Sequence, residues 1–148
     1  MDYKAIANGL AARYAPAAVV PPSGRKNITA SAGQPPNGIP ATPYVIVWPT
    51  DGDLVVGGNR VLGEHTFMVN FYLAKSEGDL IKFYTTLEEW LGVLLGQTFA
   101  ATKLAVTGVL KAIPLHWQIG ILPYGGTTYE GITITVHVWT EETVTLVP

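Results

Sequence analysis

The residue types that most often do chemistry are scattered along this chain. Its three histidines, His65, His116 and His137, lie far apart, and none has further ligands at the helical i, i+4 spacing of many zinc sites. His116 and His137 fall on the polar side of one predicted hairpin, where they could be neighbours. A solvated polar face explains that placement, so the histidines predict no metal centre.

Other catalytic motifs are also missing. Gly57-Gly58 and Gly125-Gly126 lack the Lys-Ser/Thr pair and the helix that follow in a phosphate-binding loop. No serine lies in a nucleophile-elbow pattern. The notable carboxylates fall in predicted turns, on a helix surface or at a strand exit: Asp51, Asp53, Glu88, Glu89, Glu141 and Glu142. We therefore expect no enzymatic activity and no cofactor.

The tryptophans could in principle form a base-stacking platform. All four lie within predicted strands or on the apolar stripe of a predicted helix: Trp48, Trp90, Trp117 and Trp139. Such positions favour core packing. The formal net charge of −2 and the pI near 5.8 also argue against a general nucleic-acid-binding domain.

Composition limits the class of protein further. A chain of 148 residues is the length of one domain, and the absence of cysteine excludes disulfides and thiolate metal sites. No signal peptide and no apolar run of about 18 residues is visible, so we expect no membrane span and a cytoplasmic place of assembly. Charged residues are only 14%, against roughly 25% in typical soluble domains. A surface so poor in charge favours burial against other subunits.

The first elements are a short helix and an irregular segment. Apolar residues recur at helical spacing over Tyr3–Tyr14, with Asp2 as N-cap and Pro16 as the stop. Residues 15–43 then hold seven of the eleven prolines, which predicts an extended, semi-stiff arm. Arg25-Lys26 is the only adjacent basic pair in the chain. We interpret the arm either as a solvated loop or as a segment that orders on a partner.

The strands and the central helix follow. Tyr44–Trp48 reads as a strand, and Leu54–Val56 and Arg60–Leu62 flank Gly57-Gly58-Asn59 as a hairpin. The strand Thr66–Leu73 is apolar on both faces, so we expect a helix on one face and a second sheet or another subunit on the other. An amphipathic helix is predicted over Asp79–Leu95, with Ser76 as N-cap and Gly96 just past its end.

The last third of the chain predicts a second hairpin. Residues 97–114 fit either a helix or a short strand. Leu115–Ile121 and Ile132–Val138 then alternate as two strands with one apolar and one Thr-rich face, typical of a half-exposed antiparallel sheet. Residues 143–148 are predicted to be a frayed tail.

The predicted fold is α+β in a single domain spanning 1–148. It has a mainly antiparallel sheet of about five strands, on which an N-terminal helix and one central amphipathic helix pack. The element order is α-β-β-β-α-β-β.

This order and several motifs resemble the tail terminator (tail-completion) proteins of long-tailed bacteriophages. The chain is most similar to predicted tail terminators of actinobacterial siphophages, from about Leu10 to Glu142. The motifs that carry the resemblance are Pro40–Pro49, Gly63–His65, Phe67–Tyr72, Trp90–Leu95, Tyr124–Gly126 and Tyr129–Thr133. All of these motifs are structural, and none is catalytic.

The resemblance implies a virion subunit that forms a ring of six copies on the last ring of the tail tube. Its expected partners are further copies of itself, the tail tube protein and the head–tail connector, with DNA only passing through the lumen and no membrane contact. Candidate interface residues are Arg25, Lys26 and Asn27 in the arm and Gly57, Gly58, Asn59 and Arg60 at the hairpin tip. Two alternatives are a head-side connector or stopper subunit and a small ligand-binding α+β domain.

Overall fold

The computed structural model describes residues 2–57, 60–78, 80–100, 104 and 106–142. Its elements follow the predicted order. The helices are α1 (Tyr3–Ala12) and α2 (Tyr84–Ala100), the latter preceded by a 3₁₀ turn at Leu80–Phe83. The strands are β1 (Ala30–Ala32), β2 (Tyr44–Gly57), β3 (Arg60–Lys75), β4 (Val109–Tyr124) and β5 (Thr127–Glu142). The predicted α+β class and element order are therefore confirmed.

The five strands form one sheet in the order β1-β2-β3-β5-β4. β1 pairs with β2 in parallel, and every other pairing is antiparallel. α2 carries the chain from β3 to the far edge, and β5 returns between β3 and β4. The centre of the sheet is thus the long β3–β5 ladder, in which Val69 faces Ile134 and Phe71 faces Ile132.

One side of the sheet packs against both helices and holds the main core. Alternate residues of β5, Ile132, Ile134, Val136 and Val138, are all fully buried there. They pack with apolar side chains of α1, β2, β3 and α2 in one cluster. The strict alternation along β5 confirms the predicted apolar face, because side chains of a strand point to opposite sides in turn.

The other side of the sheet carries a smaller aromatic cluster. Tyr44, Ile46, Tyr72 and Tyr129 are buried together near one end of the sheet. The Tyr72 and Tyr129 rings meet edge to face, with centroids 5.4 Å apart. Farther along, the same side presents half-buried Thr133, Thr135 and His137. β3 therefore has a full core on one face and a partial one on the other.

Residues 15–43 pack on their own subunit. Val19 and Ile28 are buried in the main core, and β1 adds a strand to the sheet edge. The side chain of Asn27 donates to the carbonyls of Pro16 and Val19 and accepts from the amide of Ile28. The proline-rich segment is thus built into the fold along part of its length, and only its exposed residues are available to a partner.

The central helix differs from its predicted limits. α2 begins at Tyr84 and continues through Gly96 to Ala100. Ser76 caps no helix, because its hydroxyl accepts from the amide of Gly78 in a turn. A glycine costs only about 1 kcal/mol in a helix interior, and Leu94 and Thr98 on either side of Gly96 are buried. Packing therefore outweighs the stop signal.

The C-terminal strands are longer than predicted. β4 and β5 each span 16 residues and pair almost throughout. Pro114 lies inside β4 at a register shift, which an edge strand tolerates because it needs no amide there. Residues 97–100 belong to α2, and strand structure begins again at Val109. The predicted tail, 143–148, lies outside the described residues.

A buried hydrogen bond joins the end of α1 to α2. The Thr98 hydroxyl donates to the carbonyl of Leu94, so the Tyr14 hydroxyl donates to the Thr98 oxygen. Burial raises the pKa of Tyr14 to about 12, although the bond to Thr98 works in the opposite direction. The phenol therefore stays protonated in the folded chain well above the pH at which it ionises in an unfolded one.

We predict that Tyr14→Phe lowers the free energy of unfolding at pH 7 by about 1 kcal/mol, since one buried hydrogen bond is lost. Stability from the raised pKa is fully present below pH 10 and is lost as pH rises from 10 towards 12. At pH 11 the wild type should have lost about 1.4 kcal/mol relative to the variant, which has no phenol to titrate. Denaturant unfolding at pH 7, 9, 10 and 11 measures both effects.

The matched control is Tyr84→Phe, which removes a hydroxyl from an exposed side chain of α2. It should follow the wild type within about 0.5 kcal/mol throughout. A wild-type advantage over Tyr14→Phe that does not shrink above pH 10 would contradict the proposed origin of the raised pKa.

Candidate functional site

A buried polar cluster surrounds His65. Its Nδ1 lies 2.8 Å from the Tyr3 hydroxyl, and its Nε2 lies 3.0 Å from both the Thr140 hydroxyl and a Glu142 carboxylate oxygen. In a nucleophilic relay, the hydroxyl and the carboxylate approach opposite ring nitrogens. Thr140 shares one ring nitrogen with Glu142 and is fully buried, so its hydroxyl is not placed for such a relay. The hydrogen bonds of the cluster tie α1 to β3 and to the end of β5.

Glu142 belongs to this cluster as an acceptor. Burial acts to raise the pKa of its carboxyl, but hydrogen bonds from Thr140 and His65 outweigh that effect and hold the pKa below its ordinary value. The Thr140 hydroxyl lies 2.8 Å from the same carboxylate oxygen. Glu142 is thus an ionised acceptor that holds the end of β5 in place.

Two buried polar groups near the start of α2 have no hydrogen-bond partner among the described residues. They are the carboxylate of Glu130 and the indole nitrogen of Trp90. Glu130 lies opposite Ala74 in the ladder and on the helix-facing side, because it alternates with Ile132. A buried polar group without a hydrogen-bond partner costs free energy. Each of these two groups therefore either destabilises the fold or bonds to a group that the structure does not contain.

A cleft of about 400 Å³ lies beside Trp90, between α2 and the segment that precedes β1. We call it the basic cleft. Its lining includes Arg25 and Lys26 together with Ala74, Phe83 and Trp90. Arg25 donates to Glu89 of α2 at 3.2 Å, whereas Lys26 is exposed and forms no ion pair with a described residue. No carboxylate lines the cleft, so it presents positive charge beside aromatic surface.

The β2–β3 hairpin projects beyond the helices at the opposite end of β3. Leu54 and Val56 are 66% and 74% exposed, and they share the helix-facing side with Gly52, whose partner is His65. Asp51 and Asp53 are exposed on the other side of the same strand. The hairpin therefore has one apolar face and one acidic face, and within the described structure neither face is covered.

A second apolar surface lies along β4, which ends the sheet within the described residues. Leu115, Trp117 and Ile121 are all exposed, Trp117 to 47%. Trp117 lines a shallow depression together with Tyr84 and Glu88 of α2. Long, exposed edge strands with apolar side chains readily pair with other chains. This surface is the other candidate for contact with another subunit.

The predicted interface residues fall into two separate groups. Arg25 and Lys26 lie at the basic cleft, whereas Asn27 is occupied in holding its own segment. Gly57 and Arg60 are the last and first paired residues of β2 and β3. Gly58 and Asn59 lie outside the described residues. The structure does not bring the two groups together, because they stand at opposite ends of β3.

Sequence reasoning missed the aromatic wall of the cleft and the apolar face of the hairpin. The stretch Leu54-Val55-Val56 predicts one strand of a hairpin, but this prediction does not include a surface that would cover its apolar side chains. The signal was present, since three apolar residues in the short stretch before a hairpin turn need a partner surface. Trp90 was assigned to the core, which is correct for its ring but leaves its indole N–H unsatisfied.

The described ranges contain no group of three His, Cys, Asp or Glu residues that could hold a metal ion. They also contain no helix that is long and apolar enough to cross a membrane.

Comparison with known proteins shows the fold alone. No protein-family model matches the chain, and no curated protein sequence does. Among solved structures, the chain is similar to one from the virion of a native gene transfer agent (GTA) particle. The TM-score is 0.56 at 16% sequence identity, covering 77% of this chain and 80% of the other.

We predict that Glu130→Gln raises the free energy of unfolding at pH 7 by about 1–3 kcal/mol, because an amide keeps the shape of the side chain and cannot carry a charge at this unpartnered, buried position. Chemical denaturation of the dilute subunit measures this change. Glu88→Gln, on the exposed face of α2, is the control and should change stability by less than about 0.5 kcal/mol. A destabilised Glu130→Gln subunit would instead mean that the carboxylate is partnered within the fold.

Proposed function

We propose that this protein is a structural virion subunit that closes the tail tube of a long-tailed phage particle. In this role it forms a ring, of six copies, on the last ring of tube subunits. The ring ends tube polymerisation and presents a surface to the head–tail connector. The proposed location of the subunit is the head–tail junction of the particle, which assembles in the host cytoplasm.

The observation that carries this proposal is the shared fold with a chain of a virion particle over 77% of the length. The sequence motifs that resemble tail terminators lie in the sheet and the central helix. Pro40–Pro49 leads into the start of β2, Phe67–Tyr72 forms the centre of β3, and Trp90–Leu95 forms the middle of α2. These segments belong to the body of the subunit.

The surface of the subunit suits a ring. Exposed apolar groups occur on the β2–β3 hairpin and along β4, which are different places on the molecule. Contacts between two different patches are heterologous, and they close into a ring when the rotation between subunits fits. A self-complementary dimer would instead need one patch that pairs with itself.

The remaining parts of the proposal concern chemistry and partners. In the proposed role the chain needs no catalytic step and no cofactor, and the polar cluster around His65 serves to hold α1 to β3 and β5. Its partners are further copies, the tail tube protein and the connector. DNA passes through the lumen without a dedicated binding site, and no membrane is involved.

A head-side connector or stopper is the second candidate, since likeness to a chain of a virion particle supports that position equally. The two roles differ in their consequences. A terminator limits the length of the tube, whereas a connector joins a finished tail to a filled head. A small ligand-binding domain is the remote third candidate, for which the basic cleft would be the site.

Deleting the gene for this chain from the genome of its phage should give tails of variable, mostly excessive length together with unattached filled heads. The reason is that nothing then stops the addition of tube rings. Electron micrographs of lysates with and without a complementing copy provide the measurement. Tails of uniform, normal length beside unattached heads would overturn the terminator role in favour of the connector.

The purified protein should form rings of about 95 kDa, six copies of the 15.9-kDa chain, at high concentration or on tube ends. Light scattering and negative-stain images measure this mass and symmetry. A ring of twelve copies would support the head-side alternative. A stable monomer that binds a metabolite and never decorates tubes would overturn both virion roles.

A further inference from the structure

The β2–β3 hairpin needs a covering surface that its own subunit does not provide. Leu54 and Val56 form an exposed apolar face, and Asp53 on the opposite face forms no ion pair with a described residue. Exposed β-branched and leucine side chains on a projecting strand pair carry a free-energy cost that burial would remove. The chemistry that suits this hairpin is an apolar surface flanked by positive charge.

The basic cleft has that chemistry. Lys26 and Arg25 supply positive charge to its lining, and Phe83 supplies apolar surface. A cleft lined by two cations and an aromatic side chain, with no lining carboxylate, favours an occupant that brings both apolar side chains and a carboxylate.

The hairpin cannot fill the cleft of its own subunit. In the β2–β3 ladder, Asp53 lies opposite Glu64 near one end of β3, whereas Ala74 lines the cleft near the other end. Ten residues of strand separate them, which is about 33 Å at roughly 3.3 Å per residue. The β3 strand is fixed between β2 and β5 along this whole length. Only a hairpin from another molecule can reach the cleft.

We propose that the β2–β3 hairpin of one subunit docks in the basic cleft of a second copy of this chain. Leu54 and Val56 pack against Phe83, and the carboxylate of Asp53 forms an ion pair with Lys26. The contact joins opposite ends of β3, so it is head-to-tail and propagates around a ring. The proposal rests on the ring function above and assigns the surfaces that close the ring.

Charge complementarity selects a second copy as the occupant. The hairpin supplies Asp51 and Asp53, and the cleft wall supplies Arg25 and Lys26, so each chain carries both halves of a matched pair. The depression beside Trp117 lacks this match, because its charged residue is Glu88. Like charges brought together at an interface cost several kcal/mol, which would direct the hairpin to the cleft.

The test exchanges the two charges. Lys26→Glu alone and Asp53→Lys alone each place like charges across every contact, and each should weaken ring formation at least tenfold. An equimolar mixture of the two variants should restore rings, because alternating subunits then meet through one native and one reversed pair. The double variant Lys26→Glu/Asp53→Lys should form rings alone. Lys4→Glu, an exposed reversal on α1, should leave assembly unchanged.

A covalent readout is available because the chain has no cysteine. Val56→Cys/Ala74→Cys, oxidised under ring-forming conditions, should give a ladder of disulfide-linked copies. Either single variant should give no ladder, because a head-to-tail contact does not bring two identical positions together. Circular dichroism and thermal melts verify that each variant is folded.

The outcomes separate this proposal from the ring function. If the wild type forms rings and both charge variants assemble equally well, or if the mixture fails to restore rings, hairpin docking is overturned and the ring stands. If the wild type forms no ring at any concentration or on tube ends, the proposed function fails and docking fails with it. Loss with each single variant and recovery in the mixture establishes the contact.

Discussion

The sheet of this protein is longer than the two helices that cover it, and most features of its surface follow from that mismatch. An extended strand advances about 3.3 Å per residue, whereas a helix advances 1.5 Å. β3 therefore spans about 50 Å with its 16 residues, while α1 and α2 cover about 15 and 25 Å with 10 and 17 residues. The helices bury the middle of the sheet and leave the hairpin and part of β4 uncovered. The exposed apolar side chains of the hairpin and of β4 are thus the parts of the sheet pattern that no helix covers.

This mismatch also explains how chemistry is distributed. Polar groups that are satisfied lie where elements meet tightly, as in the cluster that joins Tyr3, His65 and Glu142. Two groups without a partner among the described residues, the Trp90 indole N–H and the Glu130 carboxylate, are fully buried. A second subunit that covers the exposed hairpin would bury its apolar side chains. The proposed assembly role therefore follows from the same mismatch between the sheet and its helices.

Much of the fold could be predicted from the chain because its patterns are strong and local. The alternation of β5, the glycine-rich turn after Val56 and the apolar stripe of α2 each identify an element independently of the others. The limits of elements were less well predicted. The glycine at 96 predicted a helix end, but burial of Leu94 and Thr98 carries α2 past it. Proline ordinarily interrupts a strand, yet Pro114 lies inside β4 because that edge strand needs no ladder amide at this point.

The sequence by itself determined the α+β class, the order of elements, the lack of a recognisable catalytic motif and the low surface charge. These properties depend on residue type and short-range spacing. Only the tertiary structure decided that β5 lies between β3 and β4. It also decided that Arg25 and Lys26 line one cleft with Phe83 and Trp90, and that the acidic hairpin lies far from this cleft. Those relations join residues tens of positions apart through strand register and helix crossing. No local pattern encodes such pairings, because they arise from competition among all possible partners for burial in one core.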